Sequence, residues 1–146
     1  LAHAVSDAVA TVEYAEKTLG YRRGDIYLLG DSFGAGLALE AFGTLTEPIG
    51  GLILFSYLGN VQGNGVKPAN VLVFHGENDP VVNPERALQA LKRHWKIADR
   101  SEGKWWKIVR GEGHSFRAIE AWATVLDTVI RFIKPEASER NVSESR

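Results

Sequence analysis

The chain has 146 residues, 45% of them hydrophobic and 24% charged, the composition of one globular domain. Lys and Arg number 17 against 18 Asp and Glu, a net charge of −1, so no basic surface argues for nucleic acid. There is no cysteine, which excludes disulfides and thiolate metal sites, and no apolar run reaches the length of a membrane span.

The sequence begins at Leu1 and holds no Met, which leads us to expect a processed or partial chain. From about Ala4 to Leu19 the apolar residues Val5, Val9, Val12 and Ala15 fall at helical spacing, and Gly20 is placed to end that helix. Arg22-Arg23-Gly24-Asp25 is a polar turn. Ile26–Leu29 reads as a buried strand, followed by a helix over Gly34–Leu45 that Glu47-Pro48 closes off. Leu52–Tyr57 is a second buried strand. The stretch Gly59–Ala69 is a Gly- and Asn-rich loop without helical pattern. Val71–Phe74 is a third strand, and Pro84 opens a helix running to about Trp95. Lys104–Arg110 is a fourth strand. Phe116–Lys134 is a long amphipathic helix with Ile119, Trp122, Leu126, Val129, Ile130 and Ile133 on one face. Pro135 stops it, and residues 135–146 read as a disordered polar tail beyond a domain of residues 1–134.

Strands that are apolar throughout, alternating with helices, predict an α/β fold. It has a mostly parallel sheet of about four strands with helices on both faces. In such sheets functional groups gather at the carboxyl ends of the strands. The run Gly30-Asp31-Ser32-Phe33-Gly34 joins the first strand to the helix after it. Gly-x-Ser-x-Gly in that context is the turn that lifts a nucleophilic serine above a sheet, at the positive end of a helix. The small residues Gly30 and Gly34 are expected to relieve crowding there. A phosphate loop is excluded because no Gly-Lys-Ser/Thr follows. A dinucleotide fingerprint is excluded because Leu39 stands where a third Gly belongs.

A serine hydroxyl needs an imidazole to take its proton and a carboxylate to orient that imidazole. Asp79 follows the third strand in His75-Gly76-Glu77-Asn78-Asp79-Pro80, and His114 follows the fourth in Gly113-His114-Ser115-Phe116. Glu77 is a rival acid in the same loop, and Asp79 is equally suited to a turn before Pro80. His75 reads as structural, and Trp105, Trp106 and Trp122 as core. A metal site from His75, Asp79 and His114 would leave the serine turn unexplained.

With these three segments in the order Ser, Asp, His, the chain resembles the α/β-hydrolase family from about Ala4 to Lys134. It looks closest to the uncapped esterase, dienelactone-hydrolase and prolyl-oligopeptidase-like branches. The resemblance implies Ser32 as nucleophile, His114 as general base and Asp79 as orienting acid, with the Phe33 N–H as one oxyanion donor. It implies a small ester-like substrate, an acyl-enzyme intermediate and no cofactor. The family sheet has about eight strands, and those found here match its second half only. The half that carries the other oxyanion donor has no counterpart in this sequence. The strand Ile26–Leu29, central in the family, becomes an edge. A second copy of the chain, a partner chain or rearranged N-terminal residues are expected to cover it. The short loop at Gly59–Ala69 leaves no room for a cap, so an open pocket touching Phe33, Tyr57 and Leu58 is expected.

Overall fold

The computed structural model describes residues 2–59, 65–97 and 104–134. The tail expected at 135–146 and residues 60–64 of the loop expected at 59–69 lie outside the described residues. Helix α1 spans Ala2–Lys17, and strand β1, Tyr27–Asp31, comes after a single 3-10 turn at Arg23–Asp25. Then come α2 (Phe33–Thr44), β2 (Gly51–Phe55), β3 (Val71–Gly76), α3 (Pro84–His94), β4 (Trp106–Val109) and α4 (Ile119–Ile133). Each element lies within a few residues of its expected position, the usual spread for element ends.

The four strands pair in chain order, β1-β2-β3-β4, and every pairing is parallel. All residues of β2 and β3 are buried. This is the consequence of covering a parallel sheet on both sides, and it explains why these strands lack polar alternation. On one side Ala35, Ala38 and Leu39 of α2 and Ala87, Leu88 and Leu91 of α3 close over Leu52, Leu54, Val71 and Val73. On the other, Val125 of α4 packs with Phe116 over Ile53, Phe55, Leu72 and Phe74, and the rings of Phe55 and Phe74 stack at 5.1 Å. Helix α1 buries Val5 and Val12.

Helix α3 carries its limits in its sequence. Asn83 caps it by accepting the Arg86 N–H at 3.1 Å, and Pro84 opens it. Glu85 sits in its first turn and Lys92, Arg93 and His94 in its last, matching the helix dipole.

The stripe on α4 is present but mostly uncovered: Val125 is 1% exposed, while Leu126 is 51% and Ile130 59%. Among the described residues nothing packs over the outer part of the stripe. Trp122, expected in the core, stays partly exposed, although its Nε1–H donates to the Phe116 carbonyl at 2.8 Å. Trp106 is buried as expected.

Candidate active site

The strand register aligns the carboxyl ends of the sheet. Asp31 lies opposite Phe55, Phe55 opposite Phe74, and Gly76 opposite Val109. The segments leaving the strands therefore emerge on one edge of the sheet, and Ser32, Asp79 and His114 all come from these segments.

Ser32 sits between β1 and α2 with φ 53 and ψ −116, and its side chain caps nothing. A side-chain-bearing residue in that region stores about 1–3 kcal/mol of strain, which the surrounding structure must hold. The Ser32 N–H donates to the Phe55 carbonyl at 2.9 Å, extending the β1–β2 ladder by one residue before the chain turns. Gly30 permits the turn, because a Cβ there would run into the backbone of Gly34 and Ala35. Gly34 itself faces open space, so the crowding expected at that position is absent. Phe33 is the first residue of α2, where a backbone N–H has no carbonyl one turn back to bond. Its ring is exposed.

Ser32 Oγ lies 2.8 Å from His114 Nε2, and His114 Nδ1 lies 2.8 Å from Asp79 Oδ2. A carboxylate only accepts, so Nδ1 carries the hydrogen and Nε2 presents its lone pair to the serine hydroxyl. The other oxygen of Asp79 accepts the N–H groups of Val81 at 2.8 Å and Val82 at 2.9 Å. Burial alone would raise the Asp79 pKa. The hydrogen bonds from Val82, His114 and Val81 outweigh it and hold the carboxyl below its ordinary value. The turn role and the contact with His114 thus fall on one residue and use its two oxygens separately. The rival acid Glu77 points elsewhere, accepting the Gly111 N–H at 2.9 Å.

Three residues that sequence reasoning missed hold the His114 loop. Ser56, at φ 47 just past β2, donates its Oγ–H to the His114 carbonyl at 2.6 Å. Glu112 is buried, and its carboxylate accepts the N–H groups of Arg117 at 2.7 Å and Ala118 at 3.1 Å, which the start of α4 leaves free. Gly76 lets this loop lie directly on the end of β3, since a Cβ there would meet the carbonyls of Glu112 and Gly113. The acidic residue inside Gly-Glu-Gly-His was the one available signal.

Two openings flank these residues. An apolar cavity of about 230 Å³ lies beside His114, between Leu29 and Phe55 of the sheet and Trp122 and Leu126 of α4. On the other side, Leu58 lines a groove with Val81 and Arg86. Tyr57, expected at a pocket wall, is wholly buried. The positive φ at Ser56 interrupts the strand alternation and turns Tyr57 into the core with Leu52 and Leu54.

No protein-family model matches the chain, and no curated protein matches it in sequence. Solved structures match it in shape. SOBER1 from Arabidopsis thaliana superposes with a TM-score of 0.68 at 21% identity, over 89% of this chain and 63% of that one. Esterase PE8 gives 0.61 at 24% identity, over 86% and 58%. The Bacillus cereus carboxylesterase gives 0.61 at 16% identity, over 88% and 59%. The chain spans less than two thirds of the length of each.

Proposed function

Given that this chain has the α/β-hydrolase fold, we propose that it is a serine-dependent acyl hydrolase. Ser32 attacks the carbonyl of an ester or related acyl compound while His114 Nε2 takes its proton. Asp79 keeps His114 in the Nδ1–H form and stabilises the imidazolium that develops. The Phe33 N–H, at the positive end of α2, donates to the oxyanion. The alkoxide leaves with the proton from His114. Water activated by the same nitrogen then releases the acid from the acyl-enzyme. The observation that carries this reading is the unbroken relay Ser32 Oγ–His114–Asp79, with both links at 2.8 Å. The names of the esterase and the carboxylesterase among the structural neighbours agree with it.

A second reading is favoured by the edge of β1, which among the described residues pairs with β2 alone, and by the share of the neighbours' length that this chain covers. It is a non-catalytic assembly module or fragment of a larger hydrolase, with the relay formed but no complete oxyanion site. Covalent labelling with a fluorophosphonate separates the two. The first reading expects labelling that vanishes in Ser32→Ala and slows by about 10⁴-fold in Asp79→Asn. A folded chain that stays unlabelled establishes the second reading and overturns the first.

A further inference from the structure

Behind Asp79 lies a second imidazole that the proposed reaction does not use. His75 is on β3 with 0% exposure, and its ring is stacked on Trp106 at 5.1 Å. Its Nε2 is 3.1 Å from the Tyr57 carbonyl. A carbonyl only accepts, so Nε2 carries the hydrogen and the neutral ring presents a lone pair at Nδ1. That nitrogen is buried and has no hydrogen-bond partner. It faces Asp79 Oδ2 at 3.7 Å, the same oxygen that His114 holds at 2.8 Å. A buried nitrogen without a hydrogen-bond partner costs stability, so it calls for an explanation.

The sign of the contact depends on one proton. A lone pair and a carboxylate repel, which leaves Oδ2 wholly to His114. A proton from solvent at Nδ1 makes the contact attractive, and a movement of about 1 Å brings it to the length of a charge-assisted hydrogen bond. The charges acting on His75 come from Asp79, which favours that proton, and from His114, which opposes it when charged. β4 offers it the uncharged Trp106 ring, and the Tyr57 carbonyl after β2, by accepting from Nε2, favours the protonated ring. Burial is the largest influence and pushes the His75 pKa below its ordinary 6.5. The neutral form therefore prevails at neutral pH.

We propose that His75 is a positioning residue for Asp79, reserving Oδ2 for His114 while neutral and competing for that oxygen once Nδ1 is protonated. The proposal rests on the roles assigned to Asp79 and His114 in the proposed hydrolase reaction.

The test titrates the folded chain, labelled with ¹⁵N in its histidine rings, by NMR, beside His75→Phe, which keeps a ring against Trp106. In the wild type, His75 is expected as the Nε2–H form at neutral pH. Its protonation should perturb the Nδ1–H resonance of His114, and this perturbation should be missing in His75→Phe. One pH unit below that protonation midpoint, fluorophosphonate labelling should have fallen about tenfold further in the wild type than in His75→Phe. If that variant does not fold, His75→Gln retains a donor for the Tyr57 carbonyl without a titrating group. A neutral His75 protonated at Nδ1, or identical acid limbs in wild type and variant, overturns the proposal. The ring spectra need no catalysis. Failure of labelling would therefore count against the hydrolase reading alone, and the spectra would still decide the role of His75.

Discussion

The two faces of the sheet are finished to different degrees. On the side of α2 and α3 the centre is sealed: Ala35, Leu52, Leu54, Val73 and Leu91 are all but inaccessible to solvent. On the side of α4 the core is sealed only beneath Val125 and Phe116, and Leu29 of β1 is 58% exposed. Asp79 and the imidazole behind it are fixed by the closed side, whereas His114 borders the apolar cavity that opens toward Leu29 and Leu126. The hydrogen-bonded row Ser32–His114–Asp79 thus runs from the cavity side, where His114 lies, to the buried Asp79.

The largest contrast should come from paired truncations. Leu54→Ala, on the closed side, is expected to cost about 2–5 kcal/mol, because the removed methyl groups leave a cavity that rigid neighbours cannot fill. Leu126→Ala, on the open side, should cost less than about 0.5 kcal/mol, since its side chain is already half in water. Denaturation midpoints of the two variants at low protein concentration check this. Equal losses would mean that Leu126 is covered in solution and would erase the distinction between the faces.

Much of the closed side was legible in the sequence, and less of the open side. Strands such as Leu52–Phe55 and Val71–Phe74 are apolar throughout, so a parallel covered sheet followed from residue type. Ser32, Asp79 and His114 were legible because each lies within a few residues of a strand's carboxyl end and the strands share a register. Ser56 and Glu112 were not, since their hydrogen bonds join segments that only the folded sheet brings together. The burial of Tyr57 depends on one positive φ at Ser56 that no spacing announces. On α4 the periodicity reported an apolar stripe correctly, but periodicity carries no information on whether enough sheet exists to cover it.

The edge of β1 gives a smaller but sharper test. This strand pairs only with β2, leaving its other side without a strand partner among the described residues, and Leu29 is exposed beside it. Such an edge is a template for another strand. We expect a second copy or a partner chain to occupy it. For self-association, Leu29→Lys should raise the dissociation constant about tenfold or more, because burying a leucine is worth roughly 1.5–3 kcal/mol. Sedimentation of wild type and variant over a range of concentrations measures it. A monodisperse wild-type monomer at high concentration, with no partner added, would count against the expectation and leave the open face open.

The smallest expected effect lies in pH, and it too distinguishes the faces. His75 has its folded pKa pushed below 6.5 by burial, so the unfolded chain takes up that proton first. Stability should therefore fall as pH drops below about 6.5 and continue to fall until the folded pKa is reached, by no more than about 1.4 kcal/mol per pH unit for one proton. Asp79 has its folded pKa held below 3.8, where the hydrogen bonds to its carboxylate prevail over burial. Its contribution is complete above 3.8 and is lost only as pH falls through its lower, folded value. Melting temperatures followed from neutral pH downward should show the first decline in the wild type and a flatter course in His75→Phe. The exposed Arg131–Asp127 pair on α4 is screened by solvent, so Asp127→Asn should leave the curve within experimental error. A decline that persisted in His75→Phe but disappeared in Asp127→Asn would place the pH-sensitive charge on the open face, and the closed side would lose its claim to govern the relay.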